Sequence, residues 1–403
     1  MKLGRLHAVL CVALLLGAVA AFDANAQGKG DSVRPEVGKP LQAAQALVKQ
    51  RKGREAMAEI AKAEAVPNRT AYENQVIAQM KAAAASASGD NDATIKANQA
   101  VLDSGKVSGR EAATLVQSIA VAYYNKKDYG EAARWTQRYF KEGGTDPSMR
   151  TVLLQSYYLG NDCASVNKML AGSEDRRSSE EELQMLANCY DRQKDTAGYV
   201  SAIERLVVSY PKKSYWTDLL ARVQKKPGFS ERLGVNVYRL RLATGNLTST
   251  NDYLEMAQLA LQAGTPAEAK MVVDKGYETK ALGQGPDAGR HQRLRDLVMK
   301  DLGESQRNRA KDERDALAAK DGNDLVKVGL NYVYEGNADK GIALIEQGIK
   351  KGGLKRPEDA KLRLGEAQIY AGHKNRGVQT LKTVQGSDGT ADLARLWILN
   401  ARA

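Results

Sequence analysis

The chain is short of the residues from which most active sites and metal centres are built. It holds three histidines and three cysteines in 403 residues, and His7 and Cys11 fall in a leader-like first stretch. His291 and His373 each stand alone among charged residues. Both read as solvated surface histidines, because a zinc site or a general base needs further ligands or a positioned partner. No HExxH, GxSxG or GxxxxGK[ST] motif occurs. Gly283-Gln-Gly285 follows no strand pattern and runs into Pro286, so it reads as a linker rather than a dinucleotide loop. Strand signals are nearly absent, with no sustained alternation and no hairpin dipeptide between β-branched runs. No catalytic residue, metal site or cofactor is therefore expected.

Long apolar runs are missing too. The longest, Val9 to Ala21, has 13 residues, against about 20 for a membrane span. It follows Lys2 and Arg5 and precedes Ala24-Asn25-Ala26, the order of a cleavable signal peptide over residues 1–26. Leu10 stands before Cys11 where a lipid-attachment cysteine needs a small residue. The expected mature protein starts near Gln27, is periplasmic and has no transmembrane segment. Residues 27–40, with Gly28, Gly30, Pro35, Gly38 and Pro40, read as a flexible leader.

What is present is charge, tyrosine and period. The formal net charge is +12, and removing the signal's net +1 leaves about +11. The cations are interleaved with acids, which favours diffuse solubilising charge over a directed field, with weak attraction to an anionic surface as the other reading. The run Arg290 to Lys311 is interrupted by Asp296, Asp301 and Glu304 and lacks stacking aromatics, so it reads as a solvated helical face and not a nucleic-acid site. Glu180-Glu181-Glu182 follows Ser178 and Ser179, where acids complement a helix start. Tyrosine is abundant at 17 residues, against 3 Trp and 3 Phe.

One stretch repeats. Tyr123, Tyr124, Asp128 and Ala132 recur 34 residues later as Tyr157, Tyr158, Asp162 and Val166. A fixed period of this size signals stacked helical hairpins. Turn signals continue it at Lys52, Gly89, Lys127, Asn161, Lys194, Pro227, Gly264, Gly303, Gly336 and Gly372, between apolar-periodic segments. A last helix is expected near residues 391–401. The small residues Ala257, Ala260, Gly329, Gly341, Gly365 and Gly377 at expected helix crossings, with Pro147, Pro211 and Pro357 near helix starts, carry a resemblance to tetratricopeptide repeats.

The resemblance implies an all-α, right-handed solenoid of about ten hairpins with a C-terminal capping helix. Residues 41–110 would be degenerate hairpins and 111–275 well-formed repeats. Residues 276–322 would form a linker and a degenerate charged hairpin, and 323–403 repeats with the cap. The first helix of each hairpin would line a peptide-binding groove. That places Gln117, Tyr124, Asn125, Thr151, Gln155, Tyr158, Gln184, Asn188, Arg192, Gln258, Gln262, Tyr334, Glu366 and Tyr370 in it. Tyr123, Tyr157 and Tyr190 read as packing residues; Tyr124 and Tyr158 suit groove or packing equally. The family's carboxylate clamp is unsupported, since Gln117, Val121, Thr151 and Gln155 hold its positions.

Cys163 and Cys189 would sit near one edge of adjacent hairpins and form a disulfide in an oxidising compartment, or else be two small buried residues. The functional expectation is a non-enzymatic scaffold that holds a protein or peptide in the cell envelope. An alternative is a regulator or assembly factor for peptidoglycan synthesis, outer-membrane assembly or energised import. Exported lytic transglycosylases join an α-superhelix to a lysozyme-like domain, but no room for one follows Val384.

Overall fold

The computed structural model describes residues 32–171 and 178–402. The expected signal peptide lies outside the described residues. Among those described there are twenty α-helices and no strand, and no helix is long and apolar enough to cross a membrane. The chain divides into two compact units, with the boundary before Ser178, inside the block expected to run over residues 111–275.

The first unit contains α1 (Pro35–Lys49), α2 (Gly53–Glu64), α3 (Ala71–Ser88), α4 (Asn91–Asp103), α5 (Gly109–Asn125), α6 (Tyr129–Lys141), α7 (Ser148–Leu159) and α8 (Cys163–Ala171). Each helix packs on the next, and first helices of successive hairpins also meet, as α1 meets α3 and α5 meets α7. The expected flexible leader is corrected here, because α1 begins at Pro35 and runs through Pro40. Proline at the first helical position lacks only an N–H that would have no partner there. The helix is held by burial of Val37, Leu41, Ala44 and Val48, and by Arg34, which forks onto the buried Glu73 carboxylate at 2.9 Å.

The sequence echo has a backbone cause. At the end of α5, Lys127 adopts φ 63°. Its N–H bonds Tyr124 O, the N–H of Asp128 bonds Tyr123 O, and the Asp128 side chain then caps the N–H of Glu131. Asn161 and Asp162 repeat this after α7. A left-handed residue closing two backbone bonds, followed by an Asp cap, ends one helix and starts the next within three residues.

The second unit contains α9 (Glu180–Arg192), α10 (Thr196–Ser209), α11 (Lys213–Gln224), α12 (Gly234–Ala243), α13 (Thr250–Gln262), α14 (Pro266–Glu278), α15 (Ala288–Ala318), α16 (Asn323–Tyr334), α17 (Ala338–Lys351), α18 (Pro357–Tyr370), α19 (Lys374–Leu381) and α20 (Thr390–Arg402). Ser179 opens α9 with a reciprocal capping box to Glu182, the role expected for these acids. Lys194 and Asp195 repeat the turn described above. In α16 and α17, Gly329 and Gly341 face each other so closely that a Cβ on either would stand within 2.6 Å of the other's carbonyl oxygen.

Two features depart from an open row of hairpins. The turn expected at Gly303 does not exist: α15 runs unbroken for 31 residues, about 46 Å. Glycine in a helix interior costs only about 1 kcal/mol, and His291, Leu294, Val298, Leu302 and Ala316 are buried along one stripe on both sides of it. Arg309 pairs with Glu335, and Glu313 bonds Lys340 and Tyr332, which pin the second half. His291 is also corrected, being 2% exposed with Nδ1 accepting the Gly283 N–H at 3.1 Å.

The final helix, expected as an end cap, packs on α18 and α19 and also returns to α10 and α12. Lys226 meets Asp392 at 2.8 Å, Arg395 meets Glu204 at 2.8 Å, and the Ser230 N–H bonds Asp388 O at 2.9 Å. The second unit thus closes on itself.

Candidate functional site

In the first unit, three of the expected groove residues, Gln117, Tyr124 and Gln155, are taken up in hydrogen bonds across consecutive hairpins. Gln79 on α3 donates to Glu111 on α5 at 2.6 Å, and the Ser86 and Ser118 hydroxyls meet at 3.0 Å. Gln117 donates to Asp146 at 2.9 Å, and Tyr124 OH donates to Gln155 at 2.7 Å. These bonds form a polar ladder that joins first helices to one another and, at Asp146, to the turn leading into α7. Gln117, Tyr124 and Gln155 are therefore rungs that set the spacing of hairpins, rather than open ligand contacts. Asn125 and Thr151 are exposed, while Tyr158 is buried at 6% exposure, a packing position. Its sequence equivalent Tyr124 is half-buried, edge-on to Tyr129 at 5.7 Å between centroids. Burial, then the neighbouring Tyr129, pushes the Tyr124 hydroxyl's pKa up. Tyr123 packs against the core around Trp135, whereas Tyr157 reaches Gln137.

In the second unit, Gln184 makes the same kind of rung to Tyr215 OH at 2.7 Å, and Asn188 donates to the Gln184 carbonyl at 2.9 Å. Arg192, Gln258 and Gln262 are exposed. Cys163 and Cys189 are both buried and both disulfide-bonded.

The expected rung of Tyr334 and Tyr370 is present, and it adjoins a cleft. Their rings meet edge to face, 5.3 Å apart at 62°. Tyr370 is 53% exposed and points its hydroxyl at the Met271 sulfur, 3.4 Å away. The cleft has a volume of about 620 Å³ and is bounded by Leu242 of α12, by Ala267, Lys270, Met271, Asp274, Lys275 and Glu278 of α14, and by Tyr334 of α16. Ala267, Met271, Asp274 and Glu278 recur at three- and four-residue steps, with Lys270 beside Met271, so one face of α14 forms a wall. The rim charges are self-paired, Lys270 with Asp274 and Lys275 with Glu278. The opening is thus apolar and aromatic, edged by neutralised charge.

Near it lies a polar interior that the sequence reading did not foresee. Arg239 of α12 forks onto Glu268 of α14 at 2.6 and 2.7 Å and reaches Glu366 of α18 at 3.3 Å. Glu366 also accepts from Asn236 at 3.0 Å and from the indole N–H of Trp397 at 2.9 Å. Placing Glu366 in an open groove is corrected, as it is 3% exposed. Burial pushes its carboxyl's pKa up, against the pull of Arg239 and Asn236. Burial also works against the Arg239 charge, but Glu268, Tyr334 and Glu366 outweigh it and hold the guanidinium charged. Tyr334 stands over this cluster, 5.8 Å from the Arg239 guanidinium, and burial drives its hydroxyl well above the usual range. A further layer joins Arg232 to Asp359 and Asp388, both at 2.7 Å. Arg363, between the layers on α18, keeps a buried Nε without a hydrogen bond, and burial followed by Arg239 lowers its pKa.

The signal for this interior was Arg232 just before α12, with Asn236 and Arg239 on it, facing Asp359, Arg363, Glu366 and Tyr370 on α18. Both are polar series at helical spacing on otherwise apolar segments. They meet because α15 fills a repeat's place with a single helix. Second helices before it (α12, α14) and first helices after it (α16, α18) then face the same interior.

No family model matches the chain, and no curated protein matches it. Among solved structures, the crystal structure of the yeast Tom70 is similar over 91% of this chain and 95% of that chain, at 12% sequence identity and a TM-score of 0.25. The all-helical architecture stands on the helices of this chain itself.

Proposed function

We propose that the chain is a non-enzymatic scaffold of the bacterial cell envelope that holds a protein or peptide partner. Its anchor point would be the Tyr334–Tyr370 cleft of the second unit. The observation that carries this reading is Tyr370 itself. A large aromatic side chain, more than half exposed and braced edge-on by a second tyrosine, stands beside a cleft of about 620 Å³ whose charges are paired with one another. Tyrosine offers a wide contact area and a hydroxyl at small conformational cost, which is why it is enriched at binding hot spots. The neutralised rim favours an apolar or aromatic anchor on the partner over a charged one. The envelope location rests on the signal-like composition of residues 1–26.

The experiment is selection of peptides from a random displayed library on the full chain, followed by affinity measurement. Selected peptides should share an apolar or aromatic anchor. They should lose at least about tenfold in affinity with Tyr370→Ala, as expected for a central aromatic contact. Peptides that bind Tyr370→Ala and Met271→Lys as well as the unmodified chain would overturn the assignment.

A further inference from the structure

The single helix α15 puts four cations in a row that two shorter helices could not have made. Arg293, Lys300, Arg307 and Arg314 follow one another at seven-residue steps. Seven residues are two turns less about 20°, so these side chains share one slowly winding track, with about 10 Å between neighbours. All four are exposed. Measured around the helix, they lie on the side opposite the stripe buried through His291, Leu294, Val298 and Leu302. None of the four makes an ion pair or hydrogen bond among the described residues. Other cations of the same helix are engaged by the body of the unit: Arg309 pairs with Glu335, and Arg295 lies over the Tyr277 ring at 4.9 Å.

We propose that this outer face of α15 docks a partner helix that carries acidic side chains every seven residues. The occupant follows from charge and geometry together. A row of unpaired cations asks for anions at the same interval. A track that drifts by about 20° per step is followed by a second helix coiling gently along it, and not by a flat surface. Asp301, Glu304 and Asp315 line one flank of the row. They oppose a flat anionic membrane, whereas a helix can meet them with its own lysines or arginines. Leu297, 46% exposed between Arg293 and Lys300, adds an apolar contact at the seam.

The test uses the full chain and three probes. The first is an alanine-based helical peptide of about four heptads with glutamate at every seventh position. The second has the same composition with the glutamates displaced from that register. The third is a vesicle containing phosphatidylglycerol. The in-register peptide should bind about tenfold tighter than the displaced one. Lys300→Glu with Arg307→Glu should abolish that preference while leaving the helical circular dichroism unchanged. A peptide with lysine at the two facing positions should then bind the reversed variant and restore the preference. Equal affinity for both glutamate peptides, no binding to either, or binding confined to the vesicle would overturn the proposal.

Discussion

Arg239 and Glu268 form a two-pronged ion pair, at 2.6 and 2.7 Å, in which neither side chain is more than 4% exposed. Removing Glu268 leaves the dry Arg239 guanidinium with only its longer contact to Glu366 at 3.3 Å, and breaking a buried pair typically costs about 3–5 kcal/mol. Glu268→Ala should lower the unfolding free energy of the second unit by about that much in urea titration, and Glu268→Gln by less. A loss under about 1 kcal/mol would mean that water reaches the pair.

The attachment of α1 should depend on acid. The Arg34 hydrogen bonds to the Glu73 carboxylate hold its pKa down to about 2, from an ordinary 4.5. A depressed carboxyl stabilises the fold above its ordinary value, and the contribution fades as pH falls toward about 2. Amide exchange across Pro35–Lys49 should therefore accelerate between pH 4.5 and 2, ahead of α5, and Glu73→Gln should remove that acceleration. Asp388 is likewise held to about 2, by the Thr390 hydroxyl, burial acting against it, and then by Arg232. The start of α20 should loosen over a similar window. Exchange insensitive to pH there would count against the Arg232 contact.

Two glycine substitutions should act in opposite directions. A Cβ at Gly303 meets nothing nearer than the Arg307 guanidinium tip, at 3.4 Å, so Gly303→Ala should stabilise α15 by about 0.5–1 kcal/mol. A Cβ at Gly329 would stand 2.6 Å from the Gly341 carbonyl oxygen, so Gly329→Ala should cost about 1–3 kcal/mol by forcing α16 and α17 apart. Thermal melts of the two variants decide both. A destabilised Gly303→Ala would point to a bend at that residue.

Both Cys163 and Cys189 are disulfide-bonded. Alkylation of exported protein lacking residues 1–26 should add no label before reduction and two after it. Peptide mapping without reductant tests the Cys163–Cys189 pairing expected from the sequence. Two labels before reduction would exclude the bond.

Turns were legible where the chain bends through a left-handed residue and then an Asp cap, as at Lys127–Asp128 and Lys194–Asp195, because both halves of that device are local. Gly303 misled for the same reason. A glycine marks a turn only when its backbone uses the freedom, and here buried Leu302 and the Arg309–Glu335 pair keep the helix straight through it. Pro35 and Pro40 misled in the other direction, since a helix tolerates proline near its start when burial of Val37 and Leu41 holds it. The Tyr334–Tyr370 contact could be read from a 36-residue spacing. The ladder bonds that occupy Gln117, Tyr124 and Gln155 could not, because each needs a partner from the neighbouring hairpin in register. The Arg239–Glu366 interior was hidden more deeply. It depends on α15 counting as one helix instead of two, an error that exchanges the inner and outer faces of everything downstream.

The return of α20 to α10 and α12 has a consequence for how this half of the molecule tolerates change in length. An open row of hairpins can gain or lose a member at its free end and remain sound. Here the last helix and the turn that leads into it are fastened to earlier helices of the same unit through Lys226–Asp392, Arg232–Asp388 and Arg395–Glu204. Inserting or deleting a hairpin between Arg232 and Asp388 would misalign all three fastenings at once. The repeat number is thereby locked by the seam, and trimming the last thirteen residues would release a clasp as well as remove a lid.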